Sequence, residues 1–214
     1  MIHFLTAAQL ARLPNLQDSM FRDRADQFKT RSDWDVHVDQ NGWEHDEYDA
    51  LNPLYVLCQT PDGRHLGSMR FLPSTGRTMI RDHFQSLLGS HDINAPDIWE
   101  CTRFCLSRDA GPKVAGRLMS AGGEILQGFG LKGFAGIFDA RMVRIYKRIG
   151  SSPEILASAG QGRERISVGI WSFTNDARTR VARRSGLSQC AIRHWFKMRF
   201  GDQPASPFLT APAE

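Results

Sequence analysis

Two short runs, Leu54 to Gln59 and His65 to Leu72, each read as a strand, and Pro61-Asp62-Gly63-Arg64 between them suits a tight reversal. Strands joined this closely run antiparallel, so the chain cannot fold around an all-parallel sheet. Elsewhere strand and helix patterns alternate. A helix is expected from about Leu16 to Thr30, since Leu16, Met20, Arg24 and Phe28 recur at every fourth residue and share one stripe. Further elements are a strand from Ile98 to Leu106, a helix from about Lys113 to Gln127 after Gly111-Pro112, and a short apolar strand from Phe134 to Asp139. A helix from Ala140 to Ile149, closed by Gly150, comes next. A last strand, Ile166 to Phe173, leads through Thr174 as N-cap into a helix from Asn175 to Arg184, and a final helix covers Leu187 to Phe200. This order predicts an α/β chain of the α+β type, a three-layer αβα sandwich with a mixed, twisted sheet.

At 214 residues and 41% hydrophobic content, the chain suits one domain, residues 1–201, which buries roughly 70% of its unfolded surface. The Pro/Ala-rich stretch 202–214 is expected to be a flexible tail. Cys58, Cys101, Cys105 and Cys190 form no CxxC pair, so reduced thiols and a cytoplasmic setting are expected. The first residues lack the basic and apolar segments of a signal peptide, and no run reaches the roughly 20 apolar residues of a membrane span. A monomer without membrane contact is the expectation. Net charge is only +4, with 27 basic residues against 23 acidic ones, but the excess is uneven: 33–49 is acidic and the chain after Ile137 is basic.

Several charges fall where apolar atoms belong. Arg24 lies on the apolar stripe of its helix, and period-two alternation puts Arg70 on one strand face with Leu66, Ser68 and Leu72. Strict alternation also sets Glu100, Thr102 and Phe104 on one face of their strand, and Cys101, Arg103 and Cys105 on the other. A buried charge needs a partner, and the run Glu44-His45-Asp46-Glu47-Tyr48-Asp49 supplies four carboxylates in six residues. Arg103 with Asp46 or Asp49 reads as a buried ion pair. Glu100, on a central strand, can be pushed by burial toward a neutral pKa and accept a proton. Phe28 and Trp34 near Arg24 suit a ligand that carries both a cation and a carboxylate. His37 and His45 lie near the acids, but their spacing matches no metal-ligand signature, so no metal is expected. Cys101 and Cys105 read as small core residues.

The order Arg24-x3-Phe28-x5-Trp34, Glu44-x-Asp46-x-x-Asp49, Gly67-x-x-Arg70-Phe71-Leu72-Pro73 and Glu100-x-x-Arg103-Phe104 resembles the acyl-homoserine-lactone synthases, the LuxI-type autoinducer synthases of quorum sensing. The resemblance covers Phe4 to Gly150. It implies a fold like the GCN5-related N-acetyltransferases, in which splayed middle strands admit a pantetheine arm. It also implies a reaction that joins the α-amine of S-adenosylmethionine (SAM, a substrate; no cofactor is expected) to a thioester-borne acyl group. The lactone then closes and methylthioadenosine leaves. Glu100, Arg70, Asp46 and Asp49 match the catalytic positions, and Arg24, Phe28, Trp34, Arg103 and Phe104 those lining or bracing the SAM pocket. The acyl chain is expected among Leu118, Met119, Ile125, Gly136, Phe138 and Met142. Members favouring 3-oxo chains often carry a Thr where this chain has Gly136, so an unsubstituted or 3-hydroxy chain is expected.

The phosphate-cradling loop of coenzyme A-dependent acetyltransferases is half present, as Arg108-Asp109-Ala110-Gly111 followed by Pro112-Lys113, and Pro112 removes one N–H. That favours acyl carrier protein over acyl-CoA as donor, docked on Arg144 and Arg148. An ordinary N-acyltransferase acting on another amine would leave Arg24, Trp34 and the acidic run without a role. The segment from Arg178 to Arg199 has enough cations for nucleic acid, but helical spacing separates them from Ile192, Trp195 and Phe196, as in a plain amphipathic helix, and no nucleic acid is expected.

Overall fold

The computed structural model describes residues 1–202, 204 and 206–208. Within these residues seven strands form one mixed sheet: β1 (Ile2–Thr6), β2 (Leu54–Gln59), β3 (His65–Pro73), β4 (Ile98–Leu106), β5 (Gly133–Asp139), β6 (Glu154–Ala159) and β7 (Ile166–Trp171), in the order β1-β2-β3-β4-β5-β7-β6. Among the described residues, eight α-helices flank it: α1 (Ala7–Leu10), α2 (Pro14–Ala25), α3 (Met79–His83), α4 (Gln85–Leu88), α5 (Val114–Gly128), α6 (Ala140–Ile149), α7 (Asn175–Ser185) and α8 (Gln189–Phe200). A π-helical segment, Asp26–Arg31, continues α2.

Alternation along the strands divides the core into two faces. Tyr55 and Leu57 of β2 pack with Leu16, Met20 and Phe21 of α2, while Val56 and Cys58 turn to Leu118, Ala121 and Ile125 of α5. At the other end of the sheet Ala135 and Val168 meet Ile80 and Leu88 of α3 and α4. Phe138 and Trp171 face Tyr146 and Ile149 of α6 and Val181 of α7. Helices therefore cover both sides of the sheet.

Every pairing is antiparallel except β4 with β5, which is parallel and extends only over Ile98–Glu100 and Gly133–Ala135. Beyond it β4 stays with β3 through Leu106 and β5 stays with β7 through Asp139, so the two middle strands part and leave a seam. A register shift opposite Ser68–Arg70 marks a bulge in β4, where Arg103 takes the left-handed conformation with φ of 51°.

The expected hairpin, the β4 strand and the helix closed by Gly150 fall where the sequence puts them. The alternation assigned to β4 needs correction. The extra residue at the bulge turns Arg103 to the side of Arg70 and Thr102, and sends Phe104 to the opposite side, against Tyr146. The strands β1 and β6 and the short helices α1, α3 and α4 have no counterpart in the sequence reading. β6 is an edge strand exposed at both ends, so it carries no hydrophobic alternation. The last strand stops at Trp171, because Phe173 adopts φ of 47° and turns the chain toward the Thr174 cap.

The expected tail lies partly outside the described residues, at 203, 205 and 209–214. Within it, the Phe208 ring packs edge-on to Trp99 at 4.8 Å.

At Gly116 of α5 an added Cβ would sit 2.8 Å from the backbone nitrogen of Ser185, so α5 and α7 approach backbone to backbone there. Gly116→Ala is expected to force them apart and cost about 1–3 kcal/mol, read as a lower urea midpoint at unchanged m.

Candidate active site

The loop that carries the acidic run lies across the α2 face of the sheet and meets three arginines. Arg24 is fully buried; its Nε donates to Glu44 at 2.6 Å, and its terminal nitrogens form a fork on Asp49 at 3.0 and 2.9 Å. Arg70, also fully buried, donates to both oxygens of Asp46, to Asp49 at 2.8 Å and to the Thr102 hydroxyl at 3.0 Å. Arg103 reaches Glu44 at 2.9 Å and Asp46 at 2.7 Å. The phenol of Tyr55 completes the set with a hydrogen bond to Asp49. Three carboxylates and three guanidiniums thus close a ring in which every charge has two opposite neighbours.

The arginines of this ring act on the Asp46 and Asp49 carboxyls. Burial alone would raise the Asp49 carboxyl, but Arg24 and Arg70 reverse that and hold it far below the ordinary range. Burial likewise opposes ionisation of Asp46, and Arg70 and Arg103 prevail, so its pKa is also lowered. Glu100 moves the other way. It is almost completely buried, and desolvation raises its pKa even though its two oxygens accept the Met79 and Ile80 backbone N–H groups at 3.0 and 2.7 Å.

One side of this ring faces a cavity of about 1010 Å³ that runs from the loop surface into the β4/β5 seam. Glu44, Asp46, Thr102 and Arg103 belong to its polar wall. Phe28 and Trp34 form an aromatic wall, stacked at 5.2 Å with the rings 12° apart, and the Arg103 guanidinium lies 5.4 Å from the Phe28 centroid. The seam end is apolar, lined by Met69, Phe71, Cys101, Leu126, Phe134 and Trp171 among others. Three of the four non-glycine residues with positive φ among the described residues, Asp33, Arg103 and Phe173, line this cavity.

The sequence-predicted residues divide into four groups. Phe28, Trp34, Asp46, Arg103, Phe104, Met119, Gly136, Phe138 and Met142 line the cavity. Arg24, Asp49, Arg70 and Glu100 stand behind it and brace its wall. Leu118 and Ile125 do not line it. Helical spacing turns them into the core beneath β2 and β3, and the face of α5 that borders the cavity carries Met119, Gly122, Gly123 and Leu126. Arg144 and Arg148 are exposed on α6.

Glu44 and Gln27 are among the residues to which sequence reasoning gave no site role. Glu44, fully buried, links Arg24 to Arg103 and belongs at the centre of the set. Gln27, on the π-helical segment, donates to the Phe104 carbonyl and accepts from the Leu106 N–H, both at 2.8 Å, and Arg31 donates to the Leu106 carbonyl at 2.6 Å. For Glu44 the signal was its place in the acidic run. For Gln27 the sequence held none, because its partners are backbone atoms of a distant strand.

The mixed sheet opens between its middle strands, and a cavity with a charged end and an apolar end enters the opening. The family profile described as autoinducer synthase matches residues 9–181. An acyl-homoserine-lactone synthase of Rhizobium etli is 38% identical over 201 residues, covering 89% of this chain and 93% of its own. Among solved structures, the CoA-dependent acyl-homoserine lactone synthase MesI superposes with a TM-score of 0.75 at 23% identity, over 88% of this chain and 96% of its own. BjaI, a CoA-dependent synthase solved with SAM and isopentyl-CoA, superposes with a TM-score of 0.73 at 22% identity, over 87% and 90%. The chain belongs to the autoinducer synthase family.

Arg24→Met would leave Glu44 and Asp49 short of a counter-charge and is expected to cost about 3–5 kcal/mol in urea unfolding. Arg24→Lys should recover only part of it, since an ammonium cannot reproduce the fork. Acid should act through the same ring. With folded pKa values depressed, the stability from Asp46 and Asp49 is full above the unfolded value of about 3.9 and is lost as pH falls through the folded values. Unfolding free energy is therefore expected to fall as acid is added below about pH 4, less steeply in Asp49→Asn.

Proposed function

We propose that the chain acylates the α-amine of SAM with a thioester-borne acyl group and closes the product to an acyl-homoserine lactone. The observation that carries this reading is one continuous cavity with a charged, aromatic end and an apolar seam end, which suits a small sulfonium amino acid meeting a lipid tail. The sulfonium would rest near the Phe28–Trp34 stack and the carboxylates of Glu44 and Asp46. Arg24, Asp49 and Arg70 hold that wall from behind.

In the first step the amine lone pair attacks the thioester carbonyl, the C–N bond forms and the C–S bond breaks with departure of a thiol. Backbone N–H groups at the β4 bulge would meet the developing oxyanion. The amine must first lose a proton. Asp46 and Asp49 are clamped in their ionised forms, whereas burial raises Glu100, so Glu100 is the better acceptor. Its oxygens already accept two amides and it does not line the cavity, so we assign it the proton through an intervening water. In the second step a carboxylate oxygen of the substrate attacks its own γ-carbon, the C–S⁺ bond breaks, and methylthioadenosine leaves as a neutral thioether. Holding that carboxylate folded back supplies much of the rate.

For the donor we favour acyl carrier protein over acyl-CoA. The exposed face of α6 bears Arg144 and Arg148, and a neighbouring cleft adds Lys147, Arg180, Arg183 and Arg184, a surface complementary to an acidic carrier. At Gly136 an added Cβ would lie 3.0 Å from Trp171 and 3.1 Å from the Cys101 carbonyl. This crowding supports an unsubstituted or 3-hydroxy chain.

Mass spectrometry of the purified chain incubated with SAM and mixed acyl thioesters should reveal lactone and methylthioadenosine together; absence of both would refute the synthase reading. Glu100→Gln is expected to lower kcat about 10²- to 10⁴-fold and to remove the acidic limb of the kcat/KM profile. A changed KM for SAM with that limb intact would reduce Glu100 to a positioning residue. Reversing Arg144 and Arg148 to Glu should raise KM for acyl carrier protein and leave KM for SAM unchanged.

A further inference from the structure

The apolar end of the cavity follows one face of α5. Met119, Gly122, Gly123 and Leu126 line it at helical spacing, and these seven residue steps extend about 10.5 Å along the helix. The middle of that face is bare backbone, since both central positions are glycine. Neither is needed for the helix itself, where alanine is the better residue.

The two glycines do different things. At Gly123 an added Cβ would fall 1.9 Å from Cε1 and 2.2 Å from Cδ1 of Phe173, so the Phe173 ring lies directly on the helix backbone. Phe173 is brought there by its left-handed φ of 47°, which non-glycine residues rarely adopt, and it lines the cavity. At Gly122 an added Cβ would lie 3.5 Å from both Met69 Cε and Phe134 Cε2. That is ordinary contact, so the gap between helix and sheet at this point is about the width of one small side chain.

We infer that the Gly122–Gly123 pair, together with Phe173, sets the acyl-chain length. Gly123 lets the Phe173 ring be drawn aside against the helix, and Gly122 leaves the passage to the deeper segment between Leu126 and Phe134 unfilled. The ligand class is a straight acyl chain long enough to reach past Gly122. This rests on the synthase reading and adds to it the residues that decide which tail is accepted.

The consequence at Gly123 has a definite sign. A methyl group there displaces the Phe173 ring from the helix, and the ring moves into the cavity it borders. A valine at Gly122 narrows the same passage from the helix side. A smaller residue at 173 removes the obstruction that alanine at 123 creates.

The test uses the full chain with SAM and a graded series of butanoyl to dodecanoyl carrier-protein thioesters, reading kcat/KM for each and product identity by mass spectrometry. Gly123→Ala and Gly122→Val are each expected to lower the dodecanoyl-to-butanoyl ratio on the order of tenfold or more. Phe173→Leu placed in the Gly123→Ala background should restore it. Thermal melting and KM for SAM establish that each variant is folded. An equal fall for all chain lengths, an unchanged ratio in folded variants, or no rescue by Phe173→Leu would overturn the inference.

Wild-type protein that forms no lactone from any donor would instead refute the synthase reading. Binding of butanoyl- and dodecanoyl-carrier protein in the absence of SAM, followed by tryptophan quenching, reads the channel without turnover. Weaker dodecanoyl binding in Gly123→Ala is expected, and equal length preference in wild type and variant counts against the inference.

Discussion

The buried ring of Glu44, Arg24, Asp49, Arg70, Asp46 and Arg103 is the constraint on which the site depends. Its members come from α2, the acidic loop, β3 and β4, and none can leave without stranding a charge in a dry interior. Three negative charges balance three positive ones, so burial is tolerated. Such a ring adds little net stability over an apolar core of the same shape, but it is far more particular about geometry. It holds the loop at one height above the sheet, and so fixes where Asp46 and Glu44 meet the cavity.

The seam depends on a second local event. β4 and β5 pair over three residues and then follow their other neighbours. The extra residue at Arg103 bends β4 at the point of divergence and turns its guanidinium into the ring, while Phe104 goes to the far side. One irregularity in one strand therefore opens the sheet and supplies a member of the charged wall.

Much of this was legible in the sequence because it was locally encoded. The hairpin reads from Pro61-Asp62-Gly63-Arg64, the end of α6 from Gly150, and the buried Arg24 from its place on an apolar stripe. The family's motifs, read in order, contain Phe28, Trp34, Glu44, Asp46, Arg103 and Phe104 of the cavity wall, and Arg24, Asp49 and Arg70 behind it. What failed was what period alone cannot encode. A bulge shifts alternation without any signature in residue type, so Arg103 and Phe104 were assigned to the wrong faces. Leu118 and Ile125 are apolar, as an acyl pocket requires, but so is every core residue, and only the rotation of α5 shows that its glycines border the cavity. Edge strand β6 has too little burial to leave a pattern.

The amide of Gln27 has a consequence beyond the seam. By bonding to the Phe104 carbonyl and the Leu106 N–H, it occupies backbone groups of β4 that β5 has abandoned, much as a single rung of a ladder would. A parted sheet would otherwise offer a raw edge, ready to template the strand of another molecule. With Arg31 on the Leu106 carbonyl, the Gln27 side chain covers the exposed backbone of the gap at that point.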